Sequence, residues 1–123
     1  MGFGLPAAIG AALAAPDRKV VCVSGDGSLL MNIQELATLS ELGLDVTVVV
    51  MDNGHLGLVR QQQELFYGGR YHAVKFEART NFAAIARGFG IDAVDLGRAK
   101  DPLAGLEEAV AAPWPALVNV GID

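Results

Sequence analysis

Two apolar runs with matching endings constrain this chain more than anything else in it. Val20-Val21-Cys22-Val23 leads through Ser24 into Gly25-Asp26-Gly27, and the run from Val46 to Met51 leads into Asp52-Asn53-Gly54. The residues between them have helical character. A strand, a crossover helix and a second strand place the two strands parallel in one sheet, with their carboxyl ends on a shared edge. Asp26 and Asn53, distant in sequence, are therefore expected to meet at that edge, where open α/β sheets bind ligands.

The residue types there suit a diphosphate carried by Mg²⁺. This ion takes hard oxygen ligands and shares itself with phosphate oxygens. An unperturbed Asp, with a pKa of about 3.9, is ionised at neutral pH. Gly27 and Ser28 lack bulk, so their N–H groups can approach a phosphate oxygen, and Gly54 and Gly57 offer the same on the other side. Taken singly, Gly25-Asp26-Gly27 is equally a strand-end turn and Asp52-Asn53-Gly54 a tight loop. Their occurrence at corresponding ends of one βαβ unit favours the ligand site.

The pattern GDG, then residues 28–52, then Asn53 resembles the thiamine diphosphate motif of the thiamine-dependent enzymes. That motif usually ends in two Asn residues. Here the first is Asp52, and the second, the metal-ligating one, is kept as Asn53. MGFGLPAAIGAALAAP (1–16), GDGSLLMNIQEL (25–36) and NGHLGLVRQQQELFY (53–67) are similar to acetolactate (acetohydroxyacid) synthase catalytic subunits. The Gln61-Gln62-Gln63 run and NFAAIARGFGI (81–91) resemble the bacterial isozyme I branch.

The resemblance implies one domain over 1–123, the C-terminal diphosphate-binding domain of a subunit several times longer. Mg²⁺ would be held by Asp26, Asn53 and the backbone carbonyl of His55. The diphosphate would lie against Gly25, Gly27, Ser28, Leu56 and Gly57. Met1 and Gly2 would touch the aminopyrimidine, Met31 would lie near the thiazolium and Val59 near the cofactor, and Gln62 would bear on the choice of second substrate. The implied reaction decarboxylates pyruvate and joins the two-carbon unit to a second 2-oxo acid. The implied catalytic residues in this chain are none, because the activating Glu belongs to the pyrimidine-binding domain of a second subunit. FAD belongs to the full-length family and is not expected on this domain alone. A homo-oligomer and a small regulatory subunit are the other implied partners.

Other readings stay open on sequence. Another thiamine-dependent 2-oxo acid decarboxylase, or glyoxylate carboligase, would keep the cofactor and change the reaction. A non-catalytic cofactor-binding or assembly module would keep only the binding. A generic nucleotide-binding domain lacks its GxGxxG or GxxxxGK[ST] signature here.

Composition narrows the class. Of 123 residues, 52% are hydrophobic but only 7% aromatic, which suits closely packed helix-on-sheet layers. The net charge of −5, with no basic cluster, argues against nucleic acid. Cys22 is the single cysteine and lies inside an apolar run, as a buried thiol would. No apolar span reaches the length of a membrane helix, and residues 1–15 lack the basic start of a signal peptide, so a cytoplasmic setting is expected.

The rest of the chain reads as an α/β fold, a doubly wound, mainly parallel sheet with helices on both faces. A small-residue helix covers 5–15, and a strand covers 19–24. Asn32 with Glu35 forms a capping-box pattern for a helix ending at Gly43. A strand spans 46–52, a short helix 56–67 and a loop 68–80. Asn81 caps a helix through 88, 91–96 form a strand, Asp101-Pro102 starts a helix through 111, and 115–122 form the last strand. The expected order is α-β-α-β-α-α-β-α-β.

Overall fold

The computed structural model describes residues 1–122. The elements in chain order are α1 (Gly4–Ala14), β1 (Val20–Gly25), α2 (Asp26–Leu30), α3 (Glu35–Leu42), β2 (Val46–Asp52), α4 (Gly57–Phe66), α5 (Phe82–Gly88), β3 (Asp92–Asp95), α6 (Pro102–Ala111) and β4 (Ala116–Gly121). The strands form one sheet in the order β1-β2-β4-β3, and every pairing is parallel. The register sets Gly25 beside Met51 and Asp52 beside Gly121, so the tips of β1, β2 and β4 share one edge.

β2 is buried on both faces, as its β-branched sequence requires of an interior parallel strand. Val46, Val48 and Val50 join Cys22 and Leu117 in a core completed by α1, α3 and α5. Thr47 points the other way, as the alternation of a strand dictates, and its hydroxyl donates to the Ala109 carbonyl of α6 at 3.0 Å. Helices therefore cover both faces. α1 buries one stripe, Leu5, Ala8, Ile9 and Ala12, at the spacing that brings residues onto one helix face. At the opposite, amino edge of the sheet, the Lys19 ammonium ties the three neighbouring pieces together. It pairs with Asp45 at 2.5 Å and donates to the carbonyl of Ala112, just past α6.

The helix boundaries follow the sequence at three places. Gly43 ends α3 at φ +58°, Asn81 Oδ1 accepts from Ala84 N–H at 2.9 Å, and Asp101 Oδ1 accepts from Ala104 N–H at 3.1 Å. Asp26 to Leu30 form a short helix of their own, so the chain turns into a helix at once after β1. One local expectation fails. Asn32 does not cap α3, whose N-cap is Gln34 with no side-chain cap. The Asn32 amide donates instead to the Gly2 carbonyl, a tertiary bond that ties the start of the chain to α2. Glu35 accepts from Thr38 Oγ1 at 3.0 Å within its own helix.

Candidate functional site

Asp26 opens α2 at the tip of β1, and Asn53 and Gly54 follow the tip of β2. The Asp26 carboxylate is buried, 3% exposed, and accepts from Gly27 N–H and from Gly54 N–H, each at 2.7 Å. The two loops are thus joined side by side at one sheet edge. Asn53 Oδ1 accepts from His55 N–H at 3.0 Å, and His55 Nδ1 lies 2.7 Å from the Asn53 carbonyl, an Asx-type turn that fixes this loop. Gly54 takes φ +69°, a left-handed conformation that glycine adopts without strain.

A second carboxylate belongs to the site. Asp52, 6% exposed, points to the core face at the end of β2, and its Oδ1 also accepts from Gly54 N–H, at 3.2 Å. Burial pushes the Asp26 carboxyl above the usual range, the N–H groups of Gly27 and Gly54 hold it down, and the neighbouring Asp52 pushes it up further. Arg79 reaches Asp52 Oδ1 at 3.6 Å.

The loop between α4 and α5 folds back over this edge. Leu56 N–H donates to the Val74 carbonyl at 2.7 Å, and Phe76 N–H to the Gly54 carbonyl at 2.8 Å, with an antiparallel bridge between His55 and Lys75. The side chains of Leu56 and Phe76 lie against Gly27. A Cβ there would stand 2.6 Å from Leu56 Cδ2 and 3.3 Å from Phe76 Cζ, so only glycine fits as the side chains stand.

A cavity of about 160 Å³ is lined by Met1, residues 25–28 and residues 55–59. It gathers nine of the residues singled out in the sequence: Met1, Gly25, Asp26, Gly27, Ser28, His55, Leu56, Gly57 and Val59. Gly2 borders it, its N–H donating to Ser28 Oγ at 2.9 Å. Met31 is 50% exposed, so it is not a core methionine, and its Cβ would lie 3.1 Å from a Cβ on Gly2. Gln62 opens into a different cleft of about 420 Å³ with Gln63, Tyr67 and Arg70; Val59 lines both cavities. Gln63 has a second use. The Gln63 amide holds both backbone groups of His72, donating to its carbonyl at 3.1 Å and accepting from its N–H at 3.0 Å. His72 is thereby a loop anchor.

The donor set fits a hard cation with a phosphate beside it. It offers a buried carboxylate and an amide oxygen, but the N–H groups of Gly27 and Gly54, expected to face a phosphate, are instead given to the Asp26 carboxylate. The cavity is smaller than the roughly 300–1,000 Å³ of a complete small-molecule pocket. Sequence reasoning misses Asp52, Arg79 and Phe76. The signal for Asp52 is the strand alternation, which puts 52 on the same face as the buried 46, 48 and 50; Arg79 and Phe76 lie in a loop without periodicity.

Comparison with known proteins places the chain in a family. The family described as thiamine pyrophosphate enzyme, C-terminal TPP binding domain, matches residues 1–120. The chain is 58% identical over 123 residues to the acetolactate synthase isozyme 1 large subunit of Escherichia coli (strain K12), covering 100% of this chain and 22% of that protein. It is 47% identical over 123 residues to the acetolactate synthase large subunit of Parasynechococcus marenigrum (strain WH8102), covering 99% of this chain and 20% of that protein. A solved structure, the thiamine diphosphate-dependent 4-hydroxybenzoylformate decarboxylase of Rhodococcus jostii RHA1, superposes with a TM-score of 0.90 at 32% identity, over 100% of this chain and 23% of that one. The chain spans about a fifth of the length of the curated relatives it matches.

Proposed function

The chain belongs to the thiamine pyrophosphate enzyme family, as its C-terminal TPP binding domain, and on that footing we propose that it is the thiamine diphosphate- and Mg²⁺-binding domain, over 1–123, of an acetolactate synthase catalytic subunit. The observation that carries the reading is the single cavity shared by the Asp26–Ser28 turn and residues 55–59, with Asp26 bonded to the residue that follows Asn53. In this reading Asp26, Asn53 and the His55 carbonyl hold Mg²⁺. Gly25, Gly27, Ser28, Leu56 and Gly57 cradle the diphosphate, where N–H groups at the start of α4 favour an anion. Met1 and Gly2 face the aminopyrimidine, Met31 faces the thiazolium, and Val59 lies near the cofactor.

When bound, the cofactor supplies the carbon nucleophile and the electron sink for decarboxylating a 2-oxo acid. The residues of this chain anchor and orient it; none of them transfers a proton. The Leu56 and Phe76 side chains over Gly27 keep water from the diphosphate end. Gln62, next to Val59 through the adjoining cleft, bears on which second 2-oxo acid is accepted. Pyruvate is the first substrate. The activating carboxylate comes from the pyrimidine-binding domain of a second subunit, which completes the wall this chain lacks. FAD and a small regulatory subunit belong to the whole enzyme, a cytoplasmic homo-oligomer. Among the described residues no helix is long and apolar enough to cross a membrane.

The decarboxylase of the same fold keeps a decarboxylase reading in view, with a non-catalytic cofactor-binding or assembly module behind it. The relatives at 58% and 47% identity favour the synthase. Assay of acetolactate from pyruvate tests the reading. The chain alone should give no more than free thiamine gives, and a polypeptide that adds the pyrimidine- and flavin-binding domains should give a robust rate. Acetolactate from the chain alone, or none from the longer polypeptide, contradicts it.

A further inference from the structure

Asp26 and Asp52 bring two buried carboxylates to one N–H donor, and a single basic side chain answers them. Arg79 approaches Asp52 Oδ1 at 3.6 Å, while Asp26 has no ion-pair partner among the described residues. The ion pair is lopsided: the Asp52 side chain is 9% exposed and the Arg79 side chain 70%. The guanidinium also lies beside the loop after β2, since a Cβ on Gly54 would be 3.6 Å from Arg79 Cζ. The segment that carries Arg79 is bonded to the same loop, Phe76 N–H to the Gly54 carbonyl.

We propose that Arg79 is a tethered counter-ion to Asp52, and that this pair tunes how tightly a divalent cation is held at Asp26. The inference rests on the reading of Asp26 and Asn53 as the cation site. Asp52 adds a negative charge that draws a cation in. Arg79 neutralises that charge from the solvent side and repels an ion bound a few ångströms further in. The strength of the site is then set by two residues outside the ligand set. Asp52 stands where the thiamine motif usually carries an amide, so the charge that Arg79 answers is a departure from that motif.

Titration of the chain with Mn²⁺, following the free ion by electron paramagnetic resonance, tests this without any cofactor or activity. Arg79→Gln should tighten Mn²⁺ binding by roughly three- to tenfold at low ionic strength, the size expected of a screened charge at this range. The gain should shrink as salt rises. Asp52→Asn should weaken binding by a similar factor. In the Asp52→Asn background, Arg79→Gln should change affinity less than about twofold, because an exposed guanidinium without its partner swings away. Equal affinities for the wild-type and Arg79→Gln chains, with binding lost in Asp26→Ala, overturn the inference and leave the cation site standing. Mn²⁺ binding that survives in Asp26→Ala, or is absent from the wild type, overturns the site itself and this inference with it. Should Asp52→Asn fail to fold, the exposed Arg79→Gln variant and its salt dependence decide alone.

Discussion

The carboxylates of Asp26 and Asp52 converge on one backbone N–H, that of Gly54, at 2.7 and 3.2 Å. Asp26 and Gly54 are 28 residues apart in the chain, so this contact locks the tip of β1 to the loop after β2. It also concentrates negative charge in a buried corner, an arrangement that is costly without a cation.

That cost has a pH signature. Burial and Asp52 raise the Asp26 carboxyl in the folded chain. A carboxyl raised on folding binds more protons folded than unfolded. Its stabilising contribution is full below the unfolded value of about 3.9 and is lost as pH rises through the folded value. In metal-free buffer, Asp26→Asn should therefore gain Tm relative to wild type as pH increases from about 4 to about 7. A difference that is flat, or that shrinks toward neutral pH, contradicts the assignment.

Gly27→Ala separates binding from stability. The added methyl meets the far end of Leu56, which can rotate, so unfolding free energy should fall by only about 1 kcal/mol. The same methyl narrows the proposed diphosphate cradle, and affinity for thiamine diphosphate should drop at least tenfold. Melting and calorimetric titration on one preparation read both. An affinity equal to wild type would remove Gly27 from the cradle.

Leu36→Ala tests the core beneath the site. Leu36 is fully buried in the cluster with Leu39 and Val46. Its truncation should cost about 2–5 kcal/mol in urea unfolding, from lost burial and the cavity left behind. A cost under about 1 kcal/mol would mean that α3 packs less closely on the sheet than described.

Gln63→Ala should release the loop after α4. Its amide makes two bonds to His72, both in exposed surroundings, so global stability should change by about 1 kcal/mol or less. Hydrogen exchange at the His72 amide should speed up markedly, with amides in β2 unaffected. Unchanged exchange at His72 would show that the clamp is idle.

Much of this was legible in the residues themselves, and the reasons differ by element. β2 announces itself because a strand buried on both faces needs an unbroken β-branched run, and Val46 to Val50 supply one. The meeting of Asp26 with the Asn53 loop follows from parallel crossover geometry alone. α2 is hidden because a GDG turn and two leucines are too short to show a helical period. Asn32 carries a cap signature, yet its amide goes to Gly2, a contact set by tertiary packing. Arg79 is not legible at all: its partner Asp52 lies across an aperiodic loop, and only the folded strap brings them together.

The central claim is that Asp26 and the Asn53 loop grip one divalent ion and, through it, a diphosphate. Calorimetric titration of the chain with thiamine diphosphate, with Mg²⁺ and with the metal removed by chelator, tests it most directly. The account predicts saturable binding that requires Mg²⁺ and disappears in Asp26→Ala. Binding of equal strength without Mg²⁺, or undiminished in Asp26→Ala, would contradict it.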